Sequence, residues 1–170
     1  MSEKVRVGVV GVGEFGRHHA RIYRALPEAE LVGVFDSDRA RAQQVAAEYG
    51  IQVFESLEAL ANGVQAASVA VPTSEHARVG TALLEAGVDV LVEKPMAASL
   101  AEADELIATA AAHKRILQVG HTERFNPAVV AAQRILTTPL FFEVHRLGGF
   151  SRRSLDVDVI YDIMIHDLDI

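Results

Sequence analysis

The chain has 170 residues, half of them hydrophobic and 23% charged, with no cysteine and a formal net charge of −7. Such a length and apolar content suit one ordinary domain with part of a second and exclude a disordered chain. The missing cysteines exclude a disulfide scaffold and thiolate chemistry, the negative charge argues against nucleic-acid partners, and no uncharged apolar run is long enough to span a bilayer.

Short apolar runs alternate with helix-like stretches from the start. Val5–Val10 reads as a strand and Arg17–Ala25 as the following helix. Leu31–Phe35 is a second strand, after which Asp38 is a natural N-cap for a helix over Arg39–Tyr49 that stops at Gly50. Ile51–Phe54 is a weak third strand, and Ser56 caps a short helix ending near Gly63. Ala67–Val71 is a fourth strand cut off by Pro72, with a helix from Ser74 to Gly87. Val88–Val92 is a fifth strand closed by Pro95; Ser99, with Glu102 three residues on, opens a capping-box helix over Leu100–His113. Ile116–Val119 is a sixth strand. These strands are unbroken Val, Ile, Leu and Ala runs, as a parallel sheet buried on both faces requires. The fold class is therefore α/β, a Rossmann-type doubly wound parallel sheet over residues 1–121.

After Gly120 the rhythm changes. Asn126-Pro127 opens a helix to about Leu136, Leu140–His145 reads as a strand, Gly148 to Arg153 as a loop and Asp158–Ile170 as a helix. Residues 122–170 read as the incomplete opening of an α/β C-terminal domain. An apolar face left there could associate with another copy, which keeps a homo-oligomer open. The N-terminus shows no leader pattern, so a cytoplasmic location is expected.

Gly11-Val12-Gly13-Glu14-Phe15-Gly16 has G-x-G-x-x-G spacing between a buried strand and a helix. There the first glycine permits a tight turn, the second lets a pyrophosphate approach the backbone, and the third lets helix and strand pack closely. Asp36 follows Gly16 by 20 residues, at the end of the second strand. Its carboxylate could accept bonds from both ribose hydroxyls of NAD and would repel the 2′-phosphate of NADP. Ser37 and Arg39 could meet that phosphate if Asp36 turned aside, so NADP stays an alternative to NAD. A glycine turn used for packing alone is the competing reading.

Glu93-Lys94-Pro95 ends the fifth strand, on the side where open α/β sheets bind ligands. Pro95 restricts the backbone of Lys94 and is open to a cis bond. A lysine aimed into that crevice can hydrogen-bond a substrate hydroxyl; taken alone, it reads as readily as a surface lysine. Asp162 and His166 are four apart in a helix-like stretch, so a carboxylate could orient an imidazole acting as general base, or the two could be a core or surface pair. His76 could line the nicotinamide pocket or pack at a helix start, His18 and His19 read as surface or packing residues, and His121 lies in the loop after the sixth strand. Asp156, Asp158, Asp167 and Asp169 read as solvated or capping groups, and no clean ligand spacing supports a metal.

Taken together, the glycine turn, Asp36, Pro72-Thr73-Ser74-Glu75-His76, Glu93-Lys94-Pro95 and Asp162 with His166 resemble the Gfo/Idh/MocA family of nicotinamide-dependent sugar and cyclitol oxidoreductases. Within it, Gly120-His121-Thr122-Glu123-Arg124-Phe125-Asn126-Pro127 and Ile163 to Asp169 look like the branch acting on UDP-N-acetylhexosamines. The resemblance implies NAD-dependent oxidation of a secondary sugar hydroxyl to a ketone, without a metal. His166 would take the proton, Lys94 would polarise the oxygen, Asp162 would orient His166, and Arg124 and Asn126 would lie near the substrate. The glycine-turn residues, Asp36, Ser37, Arg39, Pro72, Thr73, His76, Glu93 and Lys94 would hold the cofactor. Family members are usually considerably longer, so a shortened second domain is expected here. A dinucleotide-binding module without turnover, or a dehydrogenase of sugars lacking a nucleotide, are the alternatives.

Overall fold

The computed structural model describes residues 3–138, 140, 141, 143–145, 158 and 160–169. Six strands form one parallel sheet in the order β3-β2-β1-β4-β5-β6, with β1 Val5–Val10, β2 Ala29–Phe35, β3 Gln52–Val53, β4 Ala66–Val69, β5 Asp89–Val92 and β6 Leu117–Val119. The connecting helices are α1 Glu14–Ala25, α2 Arg39–Tyr49, α3 Leu57–Gly63, α4 Thr73–Glu85 and α5 Leu100–His113. This is the Rossmann-type arrangement, and strand order reverses between β1 and β4, which opens a crevice at their carboxyl ends.

The unbroken apolar strands are explained by two cores. Val7 and Val9 of β1 pack with Ala20, Val34 and Val45 beneath α1 and α2. Val10 joins Leu60, Val69, Leu83, Leu84 and Leu106 beneath α3, α4 and α5. Successive side chains of one strand thus enter different cores, so neither face tolerates a polar alternation.

Three helix starts expected from sequence carry their caps: Asp38, Ser56 and Ser99 accept from Arg41, Ala59 and Glu102 backbone N–H groups. The return bond of the expected capping box is shifted by one residue, because Glu102 accepts from Ala98 N–H at 2.9 Å. Helix α4 starts at Thr73 rather than Ser74, with Pro72 as its N-cap.

Beyond β6, a 3₁₀ turn over Thr122–Phe125 leads into α6, Pro127–Ile135. The strand expected over Leu140–His145 is not formed by its described residues; Phe142 lies outside them. No described strand runs beside it to supply a ladder. The Gly148–Arg153 loop also lies outside the described residues. The expected Asp158–Ile170 helix is a wide π-type turn over Ile160–Met164 followed by α7, Ile165–Asp169, with Asp158 before it accepting from Ile160 N–H; residues 159 and 170 lie outside the description. Among the described residues no helix is long and apolar enough to cross a membrane.

Candidate functional site

Two clefts meet at Lys94. The first, about 530 Å³, runs along the carboxyl ends of β1, β2 and β4 and is lined by Gly11, Gly13, Glu14, Phe15, Asp36, Ser37, Arg41, Pro72, Thr73, His76, Glu93 and Lys94 among others. Gly11 sits at φ +81°, and a Cβ on it would come within 2.7 Å of the Ala70 carbonyl oxygen. A Cβ on Gly16 would lie 1.8 Å from the Gly11 carbonyl oxygen, so this position admits glycine alone. Around Gly13 the opposite holds: no protein atom would lie within 4 Å of an added Cβ. As N-cap of α1, Gly13 brings no side-chain acceptor to the first turn. The helix thus begins at an open face with its positive end toward the cleft, the arrangement that receives a phosphate.

Asp36 is held rather than free to rotate. Its Oδ2 accepts from Val12 N–H at 2.8 Å and its Oδ1 from Asp38 N–H at 2.8 Å. Its side chain is only 4% exposed, with the Arg41 guanidinium 3.4 Å away. Arg41 Nη1 also reaches both carboxylate oxygens, at 3.5 and 3.4 Å, so a ribose hydroxyl would take the place of that longer bond. Arg39 is not among the cleft-lining residues; it forms a two-pronged pair with Glu55, at 2.6 and 2.8 Å. Positions 39 and 41 are two apart on a helix and point to nearly opposite sides, so Arg41 is the one that reaches the cleft.

The 1%-exposed His76 packs under the rim of this cleft, with Nδ1 2.8 Å from the Pro95 carbonyl oxygen and Nε2 2.9 Å from that of Val71. It bridges the turns after β4 and β5. The Lys94–Pro95 bond is cis.

The second cleft, about 780 Å³, is lined by Phe15, His18, His19, Tyr23, Glu93, Lys94, Asp162 and His166, among others. Lys94 Nζ donates to the Asp162 backbone oxygen at 2.7 Å and to its Oδ1 at 2.7 Å. The pair is 10% and 22% exposed, so it is shielded from solvent without being sealed. Four-apart spacing places Asp162 beside His166; in the structure Asp162 Oδ1 accepts from Lys94. Asp162 lies in the π-type turn, whose winding is wider than that of an α-helix.

Arg124 and Asn126 do not line either of these clefts. Arg124 closes a fork on Asp169, its Nε 2.8 Å from Oδ2, which raises the guanidinium pKa. Asp169 is consequently not solvated: its side chain is 7% exposed. The Arg124 hydrogen bonds and the nearby His121 hold its carboxyl below the usual range against the opposing effect of burial. Asn126 caps α6 through Ala128 N–H and donates to Glu123 Oε2 at 2.9 Å.

Sequence reading missed His19. Of the surface and packing roles open to it, it takes the packed one, 2.8 Å through Nε2 from Glu93 Oε1 and 2.9 Å through Nδ1 from the Ser68 hydroxyl, which also meets Tyr23 Oη at 2.7 Å. Burial alone would raise the Glu93 carboxyl, but the bond and charge of His19, the Lys94 backbone N–H and the Lys94 charge outweigh it and bring it below its ordinary value. Burial raises the Tyr23 phenol, with the Ser68 bond acting against it. The available signal was position: His19 lies on α1 one turn before Tyr23, facing the sheet.

Residues 5–121 match the model of the Gfo/Idh/MocA oxidoreductases, an oxidoreductase family with an NAD-binding Rossmann fold. The chain belongs to that family. It is 44% identical over 167 residues to the UDP-N-acetylglucosamine 3-dehydrogenase of Acidithiobacillus ferrooxidans, covering 98% of this chain and 53% of that protein. The solved structure of that enzyme superposes with a TM-score of 0.92 over 99% of this chain and 55% of its own. The scyllo-inositol 2-dehydrogenase (NAD(+)) of Bacillus subtilis is 32% identical, covering 100% of this chain and 54% of that protein. GenD2 from gentamicin A biosynthesis, solved in complex with NAD, is 31% identical with a TM-score of 0.76 over 79% of this chain and 40% of its own. The chain spans about half the length of these curated relatives. The open Gly13 face, the uncapped start of α1 and the poised Asp36 fit NAD, the cofactor of the family.

Proposed function

We propose that the chain carries the NAD-binding half, and the start of the substrate half, of a dehydrogenase that oxidises a secondary hydroxyl of a sugar, a UDP-N-acetylhexosamine, to a ketone. The single observation behind this reading is the place of Lys94. It lines both clefts, so the group that borders the cofactor crevice also borders the cavity containing His166. NAD, when bound, supplies the hydride acceptor. Lys94 has three N–H donors, of which Asp162 takes two through its backbone and carboxylate oxygens, leaving one for a substrate oxygen. His166 faces the same cavity and would take the hydroxyl proton, while the Lys94 charge stabilises the oxygen as that proton leaves. Asp162 serves in this scheme as the anchor of Lys94. The likeness to the Acidithiobacillus ferrooxidans enzyme supports the nucleotide-sugar substrate, and the fixed carboxylate of Asp36 supports NAD over NADP. Residues 122–170 are read as the opening of the substrate domain.

The second reading is an NAD-binding module without turnover, favoured by the commitment of Arg124 and Asn126 to partners away from the clefts. Mixing the purified chain with NAD and UDP-N-acetylglucosamine separates the two. Reduced-nicotinamide absorbance above a Lys94→Ala control supports the dehydrogenase. Silence, with NAD binding demonstrated on the same sample, supports the module.

A further inference from the structure

Helix α1 starts at the phosphate-facing turn, and four residues apart it presents His19 and Tyr23 to the sheet. Both reach Ser68 on β4, which is fully buried. A carboxylate only accepts hydrogen bonds, so His19 Nε2 is the donor to Glu93 Oε1, and Ser68 and Tyr23 hold the far side of the imidazole. The other oxygen of Glu93 lies 3.3 Å from the backbone nitrogen of Lys94. On the β6 side the carboxylate is crowded as well, since a Cβ at Gly120 would stand 3.0 Å from Glu93 Oε1. Glu93 is therefore clamped between the cofactor helix and the amide of Lys94, although as the adjacent anion it would otherwise be free to claim the Lys94 ammonium.

We propose that His19 is a positioning residue for Lys94. By holding Glu93 it ties the turn that carries Lys94 to the helix that starts at the NAD-phosphate turn, and it keeps the Glu93 carboxylate from drawing the ammonium away from Asp162 and the substrate oxygen. This rests on the reading of Lys94 as the group that meets the substrate.

The test uses the whole chain with His19→Ala, His19→Gln and Lys94→Ala, measuring NAD affinity, turnover of UDP-N-acetylglucosamine with NAD, and hydrogen exchange at the Lys94 amide. Losing a hydrogen bond to a charged group should speed exchange in His19→Ala by about 10- to 100-fold and lower turnover by a similar factor, with NAD affinity nearly unchanged. His19→Gln should restore most of both, because its amide N–H can donate to Glu93 while its carbonyl accepts from Ser68. The proposal is overturned if His19→Ala exchanges and turns over like the wild type. It is overturned too if His19→Gln is no better than His19→Ala, or if NAD affinity falls as far as turnover. If Lys94→Ala matches the wild type, or no form turns over, the proposed function fails for this chain. Exchange then decides the link by itself: acceleration rescued by glutamine upholds it, and unchanged exchange overturns it.

Discussion

The two clefts are made in different ways. The nucleotide cleft is made by backbone: a left-handed glycine, a second glycine with no room for a methyl group, and a helix end left open. The second cleft is made by side chains that meet across long stretches of sequence, Lys94 with Asp162 and His19 with Glu93. A cleft of the first kind draws its phosphate turn from the backbone of Gly11–Gly16, although residues as far along as Lys94 complete its lining. One of the second kind depends on every partner being in place.

The sharpest way to break that comparison is Lys94→Ala. With Lys94 in its proposed role at the reacting oxygen, its removal should reduce turnover by about 100-fold or more. NAD affinity should stay nearly the same, read by titrating NAD on the same preparation. Comparable losses in both would show that the clefts are not separable. Gly16→Ala is the converse. With its Cβ 1.8 Å from a backbone oxygen, the helix must move off β1, and we expect a loss of about 3 kcal/mol of stability together with NAD binding. Denaturant unfolding and the NAD titration measure the two; a stable variant with normal NAD affinity would contradict the close approach.

Asp36→Ala refines the first cleft. It removes the proposed ribose acceptor and releases Arg41, so the ratio of NAD to NADP affinity should fall by about 10- to 100-fold. An unchanged ratio would take Asp36 out of ribose recognition. For the second cleft, acid is the probe. The folded Glu93 carboxyl titrates below its unfolded value. Its contribution to stability is thus complete above about pH 4.3 and is lost as pH falls through the folded value. Thermal unfolding between pH 6 and pH 3 should show wild type losing stability more steeply than Glu93→Gln. Parallel curves would mean the His19 bond gives Glu93 no preferential stabilisation as an anion.

This contrast also explains what was legible in the sequence. The Gly11–Gly16 turn, Asp36, the caps at Asp38, Ser56 and Ser99, and the strand β1 could be read because each depends on neighbours within a few residues or on one buried period. The π-type turn over Ile160–Met164 could not be read, because four-apart spacing assumes α-helical winding. Arg39 and Arg41 differ by a helical phase that composition does not reveal. His19 escaped for a different reason: its partners, Ser68 and Glu93, are 49 and 74 residues away, and only the sheet order brings β4 and β5 beneath α1. Arg124 and Asn126 lie in a motif that points to substrate, and their pairing with Asp169 and Glu123 is visible only in the fold.

The smallest effect belongs to neither cleft and serves as their control. Lys114 ends α5 at φ +54°, a left-handed cap formed by a residue other than glycine. An L-residue there carries a strain of roughly 1–2 kcal/mol, which glycine would remove. Against this, glycine adds about 0.5–1 kcal/mol of unfolded-chain entropy. The difference favours Lys114→Gly by about 0.5–1 kcal/mol. Its site lies at the amino-terminal side of β6, at the opposite end of the sheet from the glycine turn and Lys94. Denaturant midpoints should rise while NAD affinity and turnover stay constant. A stabilised chain with altered NAD binding would mean that the far end of the sheet communicates with the cleft, and the separation of scaffold from site drawn from the two clefts would have to be abandoned.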